Sequence, residues 1–446
     1  MSTAPWYDQR RVAQKSSVVL GKWLQQRPGG QDRAGLTPIT RLPTQPRQQR
    51  NYAAAQVNRL TQGWTTVSAS ANSDIHRSLD SVRARSRKLA NDDEYVKKWL
   101  AMVTTNVVGP NGYRFQARVY DKPGMPDTMA NDAIEAAWAK FGKKGVADVT
   151  GRQTLTGLCQ LGIKAAARDG EVLAQIVRGK SAANPFGIAI QLLDVDRLDT
   201  ALNKPAEGGR NAIRMGVEIN AYGRPVAYHL KTAHPGDLYQ TTSGIQGNTH
   251  VRVVSEDIIH EFMADRPEQI RGMPWAHAAM LRLNNLGGYE EAAVIAARVG
   301  ASKMGFFTTP DGQAEVVSTG TDDGTPDGGL MMEADAGTFQ SLPEGVQFQP
   351  FNPDYPTAMY ADFVKANLRG IASGLGVAYH ALANDLEGVS FSSIRSGTLE
   401  ERDAWMLIQE WFAGSFLERI FSEWIAAALA MGQIALPNGS TLPITK

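Results

Sequence analysis

Two carboxylates on either side of Val195 are the first residues here that could do chemistry. Asp194 and Asp196 form a D-x-D pair, and such a pair can hold a divalent cation through hard oxygen ligands and support metal-assisted hydrolysis. Residues two apart also share one face of a strand, so a charged edge turned to water accounts for the pair as well. Seven histidines stand at 76, 229, 234, 250, 260, 277 and 380. His229 and His234 are five apart, but no Cys, Asp or Glu at zinc-ligand spacing completes a site. Asp322, Asp323 and Asp327 lack the regularly spaced oxygens and closing Glu of a calcium loop. They read as an acidic tip.

Nucleotide and acyl chemistry find less support. Gly179-Lys180-Ser181 could end a phosphate loop, but Ala174 stands where the first glycine of the cradle belongs. Gly374-Leu375-Gly376 runs on to Tyr379, where a dinucleotide fingerprint needs its third glycine. No G-x-S-x-G nucleophile elbow occurs. The single cysteine, Cys159, excludes an internal disulfide framework and a cysteine zinc site, and agrees with a reducing compartment. The expectation is a protein that is not an enzyme and carries no metal or cofactor. A metal-dependent hydrolase or nuclease using Asp194 and Asp196 stays open as the alternative.

Length and charge bound the rest. A chain of 446 residues, 43% hydrophobic and 20% charged, can bury a large core in two or three domains or one elongated subunit. The net charge of +1 hides an asymmetry. Residues 1–50 hold nine Lys/Arg against Asp8 and Asp32, whereas residues 301–355 hold nine acids against Lys303 alone. Tight DNA binding works through concentrated Lys and Arg that release counterions. The segments with core-forming patterns have no such concentration, so DNA in contact with them should slide. The start MSTAPWYDQRR has no apolar signal core. The most apolar long run, 411–432, contains Glu418, Arg419 and Glu423, which argues against a membrane span.

The elements that must position these groups follow from periodicity. Residues 1–50 read as a flexible basic arm. Helical patterns follow to about Val103, with Ser73 or Asp74 as an N-cap; Arg83, Arg85, Arg87 and Lys88 read as a solvated face paired with neighbouring acids, or as a nucleic-acid patch. Tyr113, Phe115 and Ala117 alternate as in a strand. Helices are expected over 128–145 and 152–168. Short antiparallel strands are expected between Glu171 and Phe262, an α+β arrangement. Pro274 opens a helix to about Gly300, roughly 40 Å at about 1.5 Å per residue. Gly287-Gly288 within it should mark a bend or a close helix contact. Tyr360, Val364, Leu368, Ile371 and Leu375 line one face of a further helix, with Asp362, Lys365, Arg369 and Ser373 opposite. Asp362 is placed to satisfy Lys365 at i+3. From Ser392 a helix of about 60 Å carries Ile408, Phe412, Phe416, Ile420, Trp424 and Ala428 on a buried stripe.

Seven collinear blocks then carry a resemblance. They are Arg50-Asn51-Tyr52-Ala53-Ala54-Ala55, Arg83-Ala84-Arg85-Ser86-Arg87, Asn106-Val107-Val108-Gly109, Asp169-Gly170-Glu171, the run from Gly223 to His229, the run from Asp265 to Gly272, and 368–402 with Leu368 to Gly376, Tyr379, Asp385, Phe391-Ser392-Ser393 and Glu401-Arg402. Together, over about 50–430, they resemble the lambda-type family of portal proteins of tailed bacteriophages. The resemblance implies a portal fold, α+β in class: a ring oligomer, dodecameric if the family is followed, at one capsid vertex of the virion, assembled in the host cytoplasm. Double-stranded DNA would enter and leave through its channel. A terminase large subunit, a head-tail adaptor, and the major capsid or scaffold protein would be its partners, and no membrane.

On that resemblance 51–273 would be a mixed α/β wing and 274–300 and 356–376 the paired stem helices. Residues 301–355 would be a small acidic α/β clip, 377–391 a tunnel loop, 392–431 the long wing helix, and 432–446 a C-terminal tail or the start of a crown. The channel would be lined by Lys365 and Arg369 on the stem and by Asp385 and Glu387 on the loop, which holds no Lys or Arg. Docking at the clip would fall to Asp322, Asp323, Asp327, Glu333 and Asp335.

Overall fold

A computed structural model describes residues 67–237, 250–301, 305–308, 347–350, 359–387, 391–436 and 440–442, with Arg59 and Gly63. The chain divides into units of residues 1–68 and 69–446, and the architecture below is that of the second. It is a mixed helix-and-sheet fold. Helix α1 spans Ala71–Asp92 and α2 spans Glu94–Val107. Ser70, not Ser73 or Asp74, caps α1, accepting a hydrogen bond from the Ser73 N–H. The helix starts early because Ala71 already belongs to its buried face with Ile75 and Leu79. A small ribbon, β1 (Tyr120–Lys122) with β2 (Met125–Pro126), leads into α3 (Thr128–Phe141) and α4 (Leu155–Asp169).

Two antiparallel sheets follow. Strands β3 (Val172–Arg178), β4 (Ile188–Leu193) and β9 (Ile258–Glu261) pair in the order β4-β3-β9; β5 (Ala212–Arg214), β6 (Val217–Ile219), β7 (Pro225–Lys231) and β8 (His250–Val254) pair in sequence order. Leu173, Val195, Leu198, Val217, Tyr228 and Ile258 join the two sheets in one core. The remaining described elements are α5 (Met280–Ala301), the hairpin of β10 (Gly305–Thr308) with β11 (Gln347–Pro350), α6 (Tyr360–Leu375), α7 (Tyr379–Ala383), α8 (Phe391–Phe412) and α9 (Glu418–Ala430). Pro274 precedes a 3-10 turn, Trp275–Ala278, rather than opening α5 directly.

The main core is helical. Phe412, Phe416, Ile420, Trp424 and Ala428 are fully buried along one stripe of α8 and α9, each large side chain worth about 1.5–3 kcal/mol of burial. Trp424 meets Trp138 edge-on at 4.8 Å. A π-helical turn, Ala413–Leu417, joins α8 to α9; it stacks Phe412 on Phe416 at 5.0 Å.

One segment departs from its expected form. Residues 113–119 alternate half-buried and exposed as a strand should, yet are paired with no strand among the described residues. Side chains of α3 take the partner's place. Glu135 Oε1 accepts the Ala117 N–H at 3.0 Å, and Asn131 Oδ1 accepts the Val119 N–H at 2.7 Å. The Ala117 and Val119 N–H groups are thus satisfied without a ladder.

Candidate functional site

The C-terminal end of α6 and the turn after it gather the charged residues singled out above. Helix α6 buries Leu368, Ile371 and Leu375, and Trp99 on α2 fixes its end by donating its indole N–H to the Leu375 carbonyl at 3.2 Å. Gly376 then adopts a left-handed conformation (φ 68°) that closes the helix. The chain does not continue as an open loop: Val377 and Leu382 bury their side chains, which folds 379–383 into the short α7. Asn384 (φ 55°) reverses direction again, and Asp385 comes back against α6.

Three groups converge on the Asp385 carboxylate. Tyr379 Oη donates to Oδ2 at 2.7 Å, Lys365 Nζ sits 3.1 Å from the same oxygen, and the Glu387 N–H donates to Oδ1 at 2.9 Å. Above all the Tyr379 hydroxyl, then the Glu387 amide and Lys365, hold the Asp385 carboxyl at about 2. Desolvation, then the hydrogen bond to Asp385, pushes Tyr379 up to about 12. The Arg369 guanidinium lies 5.6 Å from the Tyr379 ring centre, in cation–π range. Lys98 on α2 donates to the Asn384 side-chain oxygen. Glu387 lends its amide while its side chain stays exposed.

Lys365, Arg369 and Asp385 are therefore one cluster, with Glu387 at its margin. The expected Asp362–Lys365 pair is replaced: Lys365 faces Asp385. Periodicity could not show this, because a sharp turn and a short helix lie between the partners. Tyr379, six residues before Asp385, is the member that residue spacing missed. Asp322, Asp323, Asp327, Glu333 and Asp335 lie outside the described residues.

A second charged cluster is buried. Glu171 is fully enclosed and accepts from Arg83 (2.8 Å), Arg271 (2.9 Å), His260 (2.9 Å) and the Gly272 N–H (3.0 Å). Arg271, then His260 and Arg83, outweigh desolvation and keep its carboxyl well below the ordinary range. Arg87 binds Asp169 at 2.8 Å, Asp194 at 2.8 Å and Asp196 at 2.6 Å. Gly170 (φ 93°) and Gly272 make this crossing feasible: a Cβ on Gly272 would stand 2.0 Å from the Gly170 carbonyl oxygen. The basic run of α1 is thus split. Arg85 and Lys88 are exposed, whereas Arg83 is buried and Arg87 half-buried, so neither the solvated-face reading nor the nucleic-acid patch holds for that pair.

The D-x-D pair also changes meaning. Asp194 caps a 3-10 turn, Val195–Arg197, by accepting the Asp196 N–H. His234 approaches both carboxylates, at 3.7 and 3.5 Å, a convergence that sequence spacing did not show. Asp194, Asp196 and His234 could meet at one ion. However, the Arg87 guanidinium already bonds both carboxylates and supplies the positive charge a metal would bring. The hydrolase alternative loses its support here.

Comparison with known proteins places the chain in a family. The description "Phage portal protein, lambda family" fits residues 57–409. A probable portal protein of Halomonas phage phiHAP-1 is 35% identical over 393 residues, covering 87% of this chain and 74% of that protein. Portal protein B of Escherichia phage lambda is 22% identical, and the portal protein of Escherichia phage N15 is 21% identical; each match spans 84% of this chain and 74% of the relative. A chain in the virion of a native gene transfer agent particle aligns with a TM-score of 0.40 at 14% identity, over 76% of this chain and 81% of that one. No helix among the described residues is long and apolar enough to cross a membrane. The chain belongs to the lambda family of phage portal proteins.

Proposed function

We propose that this portal protein works as a ring, dodecameric if it follows its family, set at one vertex of the capsid. Double-stranded DNA passes through its bore during packaging and ejection. One observation carries the oligomer: α5 is apolar on two opposite faces. Leu283, Leu286 and Ala293 are buried against the rest of the subunit, while Leu281 and Ile295 are 74% and 51% exposed. An apolar stripe on a helix is ordinarily packed against another element, and here the second stripe has none in the described subunit. Gly287 and Gly288 cost about 1 kcal/mol each relative to Ala in a helix, yet nothing in the described subunit lies within 4 Å of where their side chains would be. A neighbouring subunit's helix against this open face accounts for both features.

In this reading 51–273 with 392–431 form the wing, α5 and α6 the stem, 301–355 the clip, 377–391 the tunnel loop, and 432–446 the tail or start of a crown. Lys365, Arg369, Asp385 and Glu387 line the bore. Two cations and two acids at one level leave little net field, so a passing phosphate meets neither a deep well nor a high barrier, and screening at physiological salt shortens whatever remains to about 8 Å. The acidic residues of 301–355, Asp322, Asp323, Asp327, Glu333 and Asp335 among them, face basic surfaces of the terminase large subunit and later of the head-tail adaptor. Such docking weakens as salt rises. Capsid or scaffold protein surrounds the wing. Assembly takes place in the host cytoplasm.

A mass measurement of the purified protein tests the ring. The expected result is an assembly of many subunits, and the pair of substitutions Leu281→Asp and Ile295→Asp is expected to yield folded single subunits. A wild-type protein that stays a monomer at high concentration overturns the reading.

A further inference from the structure

The unpaired extended segment 113–119 has two edges, and only one is used. Ala117 and Val119 donate their N–H groups to Glu135 and Asn131 on α3. In an extended chain the neighbouring residues direct theirs to the opposite side. Those neighbours are Arg114, Gln116 and Arg118, all exposed, and no described residue bonds their N–H or C=O groups. The same segment lines an apolar groove of about 350 Å³: Phe115, Gln116, Ala117, Arg118 and Val119 contribute to it, with Ile134 of α3, Phe421, Ile425 and Leu429 of α9, and Leu442. An open strand edge beside an apolar trough is the geometry by which domains take up an extended peptide as an added strand.

Charge selects the occupant. Arg114 and Arg118 have no ion-pair partner among the described residues, and both stand on this edge. Pairing with the same edge of a second copy would set these arginines against their equivalents, which is repulsive. An incoming strand with acids between its apolar residues meets them with opposite charge. We propose that residues 114–118 are a docking edge for an extended acidic segment of a partner protein. Its alternate apolar side chains enter the groove, and its carboxylates pair with Arg114 and Arg118. The proposal stands apart from the channel and does not depend on it.

The probe is a labelled synthetic hexapeptide alternating valine and glutamate, titrated into the full chain by fluorescence anisotropy. Comparison peptides replace glutamate by lysine, or carry N-methyl groups at alternate residues. The Val/Glu peptide is expected to bind saturably and to slow amide exchange at 114, 116 and 118. The N-methylated form should bind at least ten-fold more weakly, and the Val/Lys form not at all. Arg114→Glu with Arg118→Glu should weaken the Val/Glu peptide at least ten-fold and admit the Val/Lys peptide, with an unchanged melting curve. Equal binding of all three peptides would reduce the groove to a sticky surface and overturn the proposal. Slow exchange at these amides without peptide would assign the edge to a second copy and overturn it equally.

Discussion

Two regions of this subunit are built from the same parts, arginine or lysine against carboxylate with an aromatic ring nearby, and they differ in water. Around Glu171 the partners are enclosed: Arg271 and Glu171 are fully buried, and Arg83 and His260 nearly so. Around Asp385 the partners are in contact with solvent, Lys365 at 31% and Asp385 at 21% exposed. Burial makes the first cluster obligatory, because a charge left unpaired there cannot be hydrated. Solvent makes the second exchangeable, because water or another anion can replace either partner at little cost. The first suits a joint between α1 and the sheets. The second suits the bore-lining role proposed for it.

The largest effect that would break this contrast is expected at the joint. Arg271→Met leaves Glu171 buried with fewer donors and should destabilise the subunit by about 3–5 kcal/mol in chemical denaturation. A loss under about 1 kcal/mol would put the two clusters in the same class. The joint also predicts an acid limb. The Glu171 carboxyl titrates well below its unfolded value, so its contribution is present above the ordinary carboxylate range and lost as pH falls through the folded value. Stability should drop on acidification, and Glu171→Gln should flatten that limb from a lower plateau.

Glu261 gives the intermediate case. Burial, only partly offset by Arg419, pushes its carboxyl up to about 7. Its folded value lies above its unfolded value, so the stability it contributes is full below the ordinary carboxylate range and is lost as pH rises through about 7. Glu261→Gln should remove that decline in melting temperature.

The smallest stability effects belong to the exposed cluster, where function should respond instead. Asp385→Asn is expected to leave the denaturation curve in place while lowering the Tyr379 titration, read by phenolate absorbance, because the neighbouring negative charge is gone. Asp385→Lys with Glu387→Lys sets four cations at one level, and packaging in a reconstituted motor should slow or stall. An unchanged packaging rate would count against a channel position for this cluster.

Much of the fold was legible because its helices are long and their buried stripes regular. The set from Phe412 to Ala428 and the face of α6 through Leu368, Ile371 and Leu375 are both buried. Lys365 with Asp385, and Arg83 with Glu171, were not legible as pairs, since helix spacing relates residues three or four apart whereas these meet through turns and sheet crossings. The strand-like alternation at 113–119 gave the correct burial but could not reveal that Glu135 and Asn131 stand in for a partner strand. Asp169-Gly170-Glu171 was visible only as part of a resemblance. Its physical meaning needed Gly272 and Arg271, a hundred residues away, in contact with it.

The π turn at Ala413–Leu417 has a consequence for how this long helix tolerates change. A π turn carries one more residue than an α turn of similar rise, so the surplus is absorbed locally and the flanking stripes stay aligned. Gly414, which contributes no side chain to the packing, is the natural residue to lose. Deleting it should restore ordinary i→i−4 bonding and leave Ile420, Trp424 and Ala428 facing inward. The same deletion a few residues further on would turn everything beyond it by about 100° about the axis and expel the tail end of the stripe into water. A single missing residue would thus be silent at one point of the helix and ruinous a turn or two away.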